Sequence, residues 1–275
     1  MAVKIHHLNC GTLCPYGGKL VSGEGGWTGA HVVCHCLLIE TADSLVLVDT
    51  GMGTGDMRHP YRSLGVPFSL SFRPSGDQSE TAIERVRGLG LDPADVRHIA
   101  CTHLDLDHAG GLPDFPAAEV HTFRPEHQAA TNPKLLDRPR YPAVHFKHGP
   151  NWHVHDVDGD DWFGFESIRV LPGVDPEILL IPLVGHSRGH TGVAVRDGDG
   201  WMLHCGDAYF HRNEVKTPPS APFGIGNFER LMADDGKARL ANQERLRELA
   251  LNHGDEVRLF SAHDPVELER EVAAA

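Results

Sequence analysis

Short apolar runs separated by polar, glycine-containing turns dominate this chain. His31 to Glu40 and Ser44 to Asp49 predict paired strands joined by a turn at Thr41-Ala42-Asp43. Val96 to Cys101, Glu119 to Phe123, Trp162 to Leu171, Ile178 to Val184, Gly192 to Arg196, Trp201 to Cys205 and Val257 to Phe260 share this β character. Asp199-Gly200 suits a hairpin turn between two of them. The spacing becomes helical at Thr81 to Leu89, where Ala82, Ile83, Val86 and Leu89 recur between a candidate N-cap, Ser79, and a candidate stop, Gly90. Pro125 to Ala130 predicts a short helix. Lys237 to Asn252 predicts a long one with Leu240, Leu246, Leu249 and Ala250 on one side, and Pro265 to Val272 a closing one.

Two stretches lack periodicity. Gly17-Gly18 to Gly29 contains Trp27 and reads as a long loop. Residues 131–165 hold Pro133, Pro139, Pro142, Pro150, several histidines, Trp152 and Trp162. A long aromatic segment without a repeat, inside a globular domain, is expected to be a lid or pocket wall.

Potential ligands follow the strands. Cys101-Thr-His-Leu-Asp-Leu-Asp-His-Ala-Gly-Gly111 places His103, Asp105, Asp107 and His108 directly after an apolar run. Gly185-His186-Ser187-Arg188-Gly189-His190, Cys205-Gly206-Asp207 and Ser261-Ala262-His263-Asp264 repeat the arrangement downstream. Imidazoles suit zinc and iron, and carboxylates add charge and can bridge two cations. Recurrence at several strand ends argues that these loops converge on one edge of the fold.

These residues resemble the metallo-β-lactamase superfamily, whose signature is His-x-His-x-Asp-His, then Gly-His-Ser/Thr-x-Gly-His, an Asp after a strand and a late His. Val46-Leu47-Val48-Asp49-Thr50-Gly51 looks like the family's early strand and Asp-x-Gly turn, so the resemblance runs from Val46 to Asp264. It implies an α+β, four-layer αββα sandwich with a metal site at one edge of the paired sheets. It further implies two divalent metal ions, zinc first, with manganese or iron as alternatives. One would take His103, Asp105 and His186, the other Asp107, His108 and His263, with Asp207 bridging. Asp105 stands where the family has its second His, a harder oxygen donor that either binds metal or leaves one site weak; we expect it to bind. Asp107 and Tyr209 are the expected catalytic residues, Tyr209 because lactonase members use a Tyr near this point. Asp49 and His190 are expected behind the ligands rather than on the metal.

The implied reaction is attack by a metal-bound hydroxide on a lactone or small carboxylic ester, as in acyl-homoserine lactonases. Phe68, Phe72, Trp152 and Trp162 are candidates for an apolar acyl pocket. The alternatives are a glyoxalase II-like thioesterase, a phosphodiesterase of the ribonuclease Z kind, and, from another class, a binding or sensor module with a degraded metal site. The acidic segment Glu267 to Ala275 counts against glutathione binding.

Composition narrows this further. The 275 residues, 40% of them hydrophobic, suit a single domain, 1–275. The net charge of −13 disfavours a nucleic-acid partner, and the resemblance implies a small-molecule substrate. No run approaches the roughly 18 apolar residues of a membrane span. The amino terminus lacks a signal-peptide core, so a cytoplasmic protein with reduced thiols is expected for all six cysteines. A dimer is left open. Of the 20 histidines, His145, His148, His153 and His155 are expected on the surface or lining the pocket rather than forming a further metal site.

Overall fold

The structure, a computed structural model, describes residues 4–23 and 26–274. Residues 24 and 25 of the glycine-rich stretch lie outside the described residues, as do the first three of the amino-terminal segment.

One sheet runs in spatial order β1 (Lys4–Leu13), β2 (Val32–Glu40), β3 (Leu45–Val48), β4 (Val96–Ala100), β5 (Glu119–Phe123) and β6 (Asn151–His155). β1, β2 and β3 pair antiparallel, whereas β3 to β6 pair parallel. The other sheet runs from its last strand to its first: β12 (Val257–Phe260), β11 (Gly200–His204), β10 (Thr191–Asp197), β9 (Ile178–Pro182), β8 (Phe165–Arg169) and β7 (Asp160–Trp162). It is antiparallel except for the β11–β12 pair.

The central strands are apolar on both faces, which requires cover on both. Leu37, Ile39, Val46 and Val48 of the first sheet meet Ile168, Leu180, Val193 and Val195 of the second in the layer between the sheets. The opposite face of the first sheet, with Leu38, Leu47 and Ile99, packs on Ala82, Val86 and Ala129 from helices Ala82–Gly88 and Arg124–Thr131. The opposite face of the second, with Ile181, Leu203 and Leu259, packs on Leu246 and Leu249 of helix Gly236–Asn252. Helix, sheet, sheet and helix form the expected four layers. Among the described residues no helix is long and apolar enough to cross a membrane.

Several expectations are corrected. Lys4–Leu13 is a strand whose alternation is masked because its buried His7 pairs with His35 at 2.8 Å instead of being apolar. The β10–β11 turn is Gly198-Asp199, one residue earlier than expected, with Gly198 at φ +57°. Leu240 is exposed, while Arg239, Asn242 and Gln243 are the buried positions at that end of the long helix. They serve loops rather than core: Asn242 donates to the Val184 carbonyl, and Gln243 to Glu214 and Glu229. The glycine-rich stretch contains a helical turn, Lys19–Ser22. Within residues 131–165, helix Ala143–Phe146, β6 and β7 are regular structure. Only its first part, at Pro139 and Arg140, reaches the cavity described below.

Candidate metal centre

The apolar strands stop at one edge, and the polar loops that follow them meet there. His103 comes after β4, His186 after β9, Asp207 after β11 and His263 after β12. His103 Nε2, Asp105 Oδ2, His186 Nε2 and Asp207 Oδ2 form one group. Within it His186 lies 3.1 Å from Asp105 and 3.4 Å from Asp207, and His103 lies 3.5 and 3.7 Å from the same two oxygens. The other carboxylate oxygen, Asp207 Oδ1, faces a second group, 3.2 Å from His108 Nε2 and 3.1 Å from His263 Nε2. Asp107 completes that group, 3.8 Å from His263 and 4.0 Å from His108. All seven side chains expected as ligands are thus brought together, and Asp207 turns one oxygen to each group.

The donor set fits divalent cations. His103 Nε2 and Asp207 Oδ1 are fully buried with no hydrogen-bond partner, a costly state that an ion relieves. Three carboxylates and four imidazoles match the ligand preferences of zinc-class metals.

Outer hydrogen bonds fix the rings. Asp49 accepts from the Thr102 N–H and hydroxyl, each at 2.7 Å, and bonds His108 Nδ1 at 2.9 Å. Thr102 Oγ1 in turn lies 3.0 Å from His103 Nδ1. His263 Nδ1 bonds the Val33 carbonyl at 2.7 Å. Each of these three rings is thereby left with Nε2 facing the group, the usual orientation of a metal-bound histidine. Asp49 itself has φ +56°, a strained conformation held by this network. His190 accepts the Asp207 N–H at Nε2 and bonds the Leu183 carbonyl through Nδ1, so it positions Asp207 without joining the group. Burial, then the neighbouring His103 and His186, keeps its pKa well below normal and the ring neutral.

Glu126 ties two ligand loops together by accepting from the Leu104 N–H, the Ser187 hydroxyl and the Gly189 N–H. Gly189 is required there: a Cβ would stand 2.1 Å from the Glu126 nitrogen.

Two participants were missed. Arg140 donates to Asp105 through Nη2 at 2.6 Å and Nε at 2.9 Å, and through Nη1 to the His186 and Met232 carbonyls. Burial opposes ionisation of Asp105, but Arg140 and then His103 outweigh it and hold the carboxyl well below the usual range. The Asp at the second His position therefore comes with a compensating cation 35 residues away, a pairing no local pattern reveals. Cys34 is the other: its buried thiol sulfur groups with donor atoms of Asp107 and His263, all within 4.8 Å of one another. From the sequence, Cys34 is expected only as one of six reduced thiols.

The structure does not bring Tyr209 to the centre. It is fully buried, and its hydroxyl donates to Glu267 at 3.1 Å. The next residue, Phe210, reaches the cavity instead and stacks on His263 with ring centroids 5.0 Å apart. Trp162 belongs to the core beside Trp201, and Trp152 packs against the first sheet's outer core, so neither lines the cavity. Phe68 and Phe72 do.

The cavity holds about 700 Å³ and opens onto Asp105, Asp107, His186, Asp207 and His263. One wall is a continuous row of rings. Phe210 stacks on His263, Phe228 meets Phe210 at 5.4 Å, Phe72 meets Phe228 at 5.5 Å, and Phe68 stacks on Phe72 at 4.6 Å.

The sequence profile of the metallo-beta-lactamase superfamily matches residues 30–250. The chain belongs to that superfamily. A probable metallo-hydrolase of Mycobacterium tuberculosis is 41% identical over 264 residues, covering 96% of this chain and 81% of the relative. An N-acyl homoserine lactonase of Bacillus cereus is 27% identical over 233 residues, covering 83% of this chain and 80% of that one. A solved N-acyl homoserine lactone hydrolase, with the product N-hexanoyl-L-homoserine at its catalytic metal centre, superposes with a TM-score of 0.74 at 20% identity. The match covers 98% of this chain and 97% of that one, and it is a likeness of fold. As a superfamily member this chain is a metallo-hydrolase, and enzymes of the superfamily bind divalent metals.

Proposed function

We propose that this metallo-hydrolase opens lactones, or cleaves small carboxylic esters, that carry an apolar acyl chain. The observation that carries the reading is the row of rings from His263 through Phe210, Phe228 and Phe72 to Phe68. An acyl tail laid along it places its carbonyl beside the ligand cluster while the rings exclude water from the tail.

His103, Asp105, His186 and one oxygen of Asp207 would hold one divalent ion; Asp107, His108, His263 and the other oxygen would hold the second. Ions bound there would supply Lewis acidity and a water that ionises near neutral pH. Asp107 lines the cavity and would take a proton from the attacking water and return it to the leaving oxygen. The water oxygen joins the acyl carbon, the acyl C–O bond breaks, and the ring or alkoxy oxygen leaves as a hydroxyl. Tyr209 takes no part, because its hydroxyl is buried on Glu267.

The test is proton release from a panel of N-acyl homoserine lactones and simple γ- and δ-lactones, with and without a chelator. Chelator-sensitive turnover that improves with acyl length is the expected result. No turnover by protein with filled metal sites would overturn the reading and move thioesters and phosphodiesters to the front.

A further inference from the structure

A separate cluster of donors lies on the first sheet, on the strands farthest from β1. Parallel register places His98 of β4 beside Glu119 of β5, His121 of β5 beside His153 of β6, and Phe123 beside His155. Side chains alternate along a strand with period two, so His98, Glu119, His121, His153 and His155 all project from one face. Ala100 and Phe123 share that face and belong to the layer between the sheets, so the cluster sits at the margin of that layer. His121 is buried, while the side chains of Glu119 and His153 are 38% and 42% exposed, which leaves one side open to solvent.

Three donors are spaced as in a coordination sphere, and His153 stands beside one of them. His98 Nδ1 is 3.2 Å from His121 Nε2 and 3.3 Å from Glu119 Oε2, and His153 Nε2 is 3.4 Å from the same Glu119 oxygen. Ligands held about 2.0–2.1 Å from a tetrahedral zinc are separated by roughly 3.3–3.4 Å. The donor atoms of His98, Glu119 and His121 all lie within 4.8 Å of one another. His121 turns its other nitrogen to His155 at 3.0 Å, so an outer partner orients the ring as in metal-bound histidines.

We propose that His98, Glu119 and His121, joined by the exposed His153 ring that stands beside Glu119, form a further divalent-metal site, of zinc-class ligand chemistry, that shares no residue with the hydrolytic centre. An ion there clamps the edge strand β6 onto β4 and β5. β6 is the first strand after the segment that carries Arg140, so the clamp also steadies the arm that reaches Asp105. A cluster drawn from three separate strands, through Glu-x-His and His-x-His pairs, leaves only a weak mark in the sequence.

The test is zinc content per chain after stripping with a chelator, reloading and desalting, for the unmodified protein, His98→Ala/Glu119→Ala and His153→Ala. The difference between proteins is read, so occupancy of the hydrolytic centre cancels. The unmodified protein is expected to hold one more zinc ion per chain than the double variant. Its cobalt form should show an additional four-coordinate visible band that the double variant lacks. His153, exposed at its tip, gives a variant that folds even if the double variant does not, and it should lose the same ion on dialysis against a weak competing chelator while the unmodified protein keeps it. Equal zinc content and equal cobalt spectra in all three proteins would overturn the proposal, leaving a row of hydrogen-bonded imidazoles. So would an ion that the unmodified protein also gives up to the weak competitor.

Discussion

If Arg140 is the cation that lets Asp105 occupy a ligand position, the two residues are energetically coupled. Their shortest contact is 2.6 Å, with the side chains 12% and 9% exposed. Charge centres about 4 Å apart at an effective dielectric of about 20 attract by roughly 4 kcal/mol. Desolvation offsets part of this, so we expect a coupling energy of about 2–3 kcal/mol. Arg140→Ala in the metal-free protein should cost about 3–5 kcal/mol, because it leaves a buried carboxylate unpaired beside His103 and His186. The assay is a double-mutant cycle of Asp105→Ala and Arg140→Ala by urea unfolding of chelated protein. Adding metal should shrink the cost of Arg140→Ala alone, since a cation at the centre then neutralises Asp105. A coupling below about 0.5 kcal/mol in the metal-free protein, or a cost unchanged by metal, would refute the assignment of Arg140 as Asp105's counter-charge.

Shortening the ring row by Phe72→Ala should reduce kcat/KM for long-chain acyl lactones about tenfold and leave short-chain ones nearly unchanged; equal losses across chain lengths would mean the tail does not lie there. Tyr209→Phe should leave turnover within a few-fold of the unmodified enzyme while lowering stability by about 1–2 kcal/mol, read by thermal unfolding, because Glu267 loses a buried donor. Burial, reinforced by Asp264, pushes the Glu267 carboxyl up from the ordinary 4.5 to about 7. The folded state therefore binds this proton more tightly than the unfolded chain does. Its contribution is fully present below pH 4.5 and is lost as the pH rises to about 7, a change of roughly 3 kcal/mol. Glu267→Gln should flatten that part of the stability–pH curve; an unchanged slope between pH 5 and 7 would contradict it.

Much of the centre was legible because ligands that must meet at one edge have to sit on loops directly after strands, and an apolar run followed by His or Asp is a local signal. His103, Asp105, Asp107 and His108 share one such loop, and His186, Asp207 and His263 each end another strand. The errors have a common cause. Tyr209 and Phe210 are neighbours, and the path of the turn decides that Phe210 faces the cavity while Tyr209 turns inward to Glu267. Trp152 and Trp162 are large and apolar in either a core or a pocket, and only packing distinguishes the two. β1 escaped notice because buried His7 is satisfied by another histidine, which breaks the apolar alternation.

The sequence alone determined the alternation of sheet and helix and the loops that carry the ligands, because periodicity and strand-end placement are properties of neighbouring residues; the resemblance to a known family picked the seven side chains out of those loops. The tertiary structure decided what depends on residues distant in sequence. It set the Arg140 charge against Asp105, brought the Cys34 thiol beside Asp107 and His263, and laid the phenylalanine row against His263. It also gathered His98, Glu119, His121 and His153 on one face. Those pairings arise from strand register and from the docking of loops onto the sheet edge. Charge compensation and ligand geometry act over a few ångströms of space, and the chain order does not encode that distance.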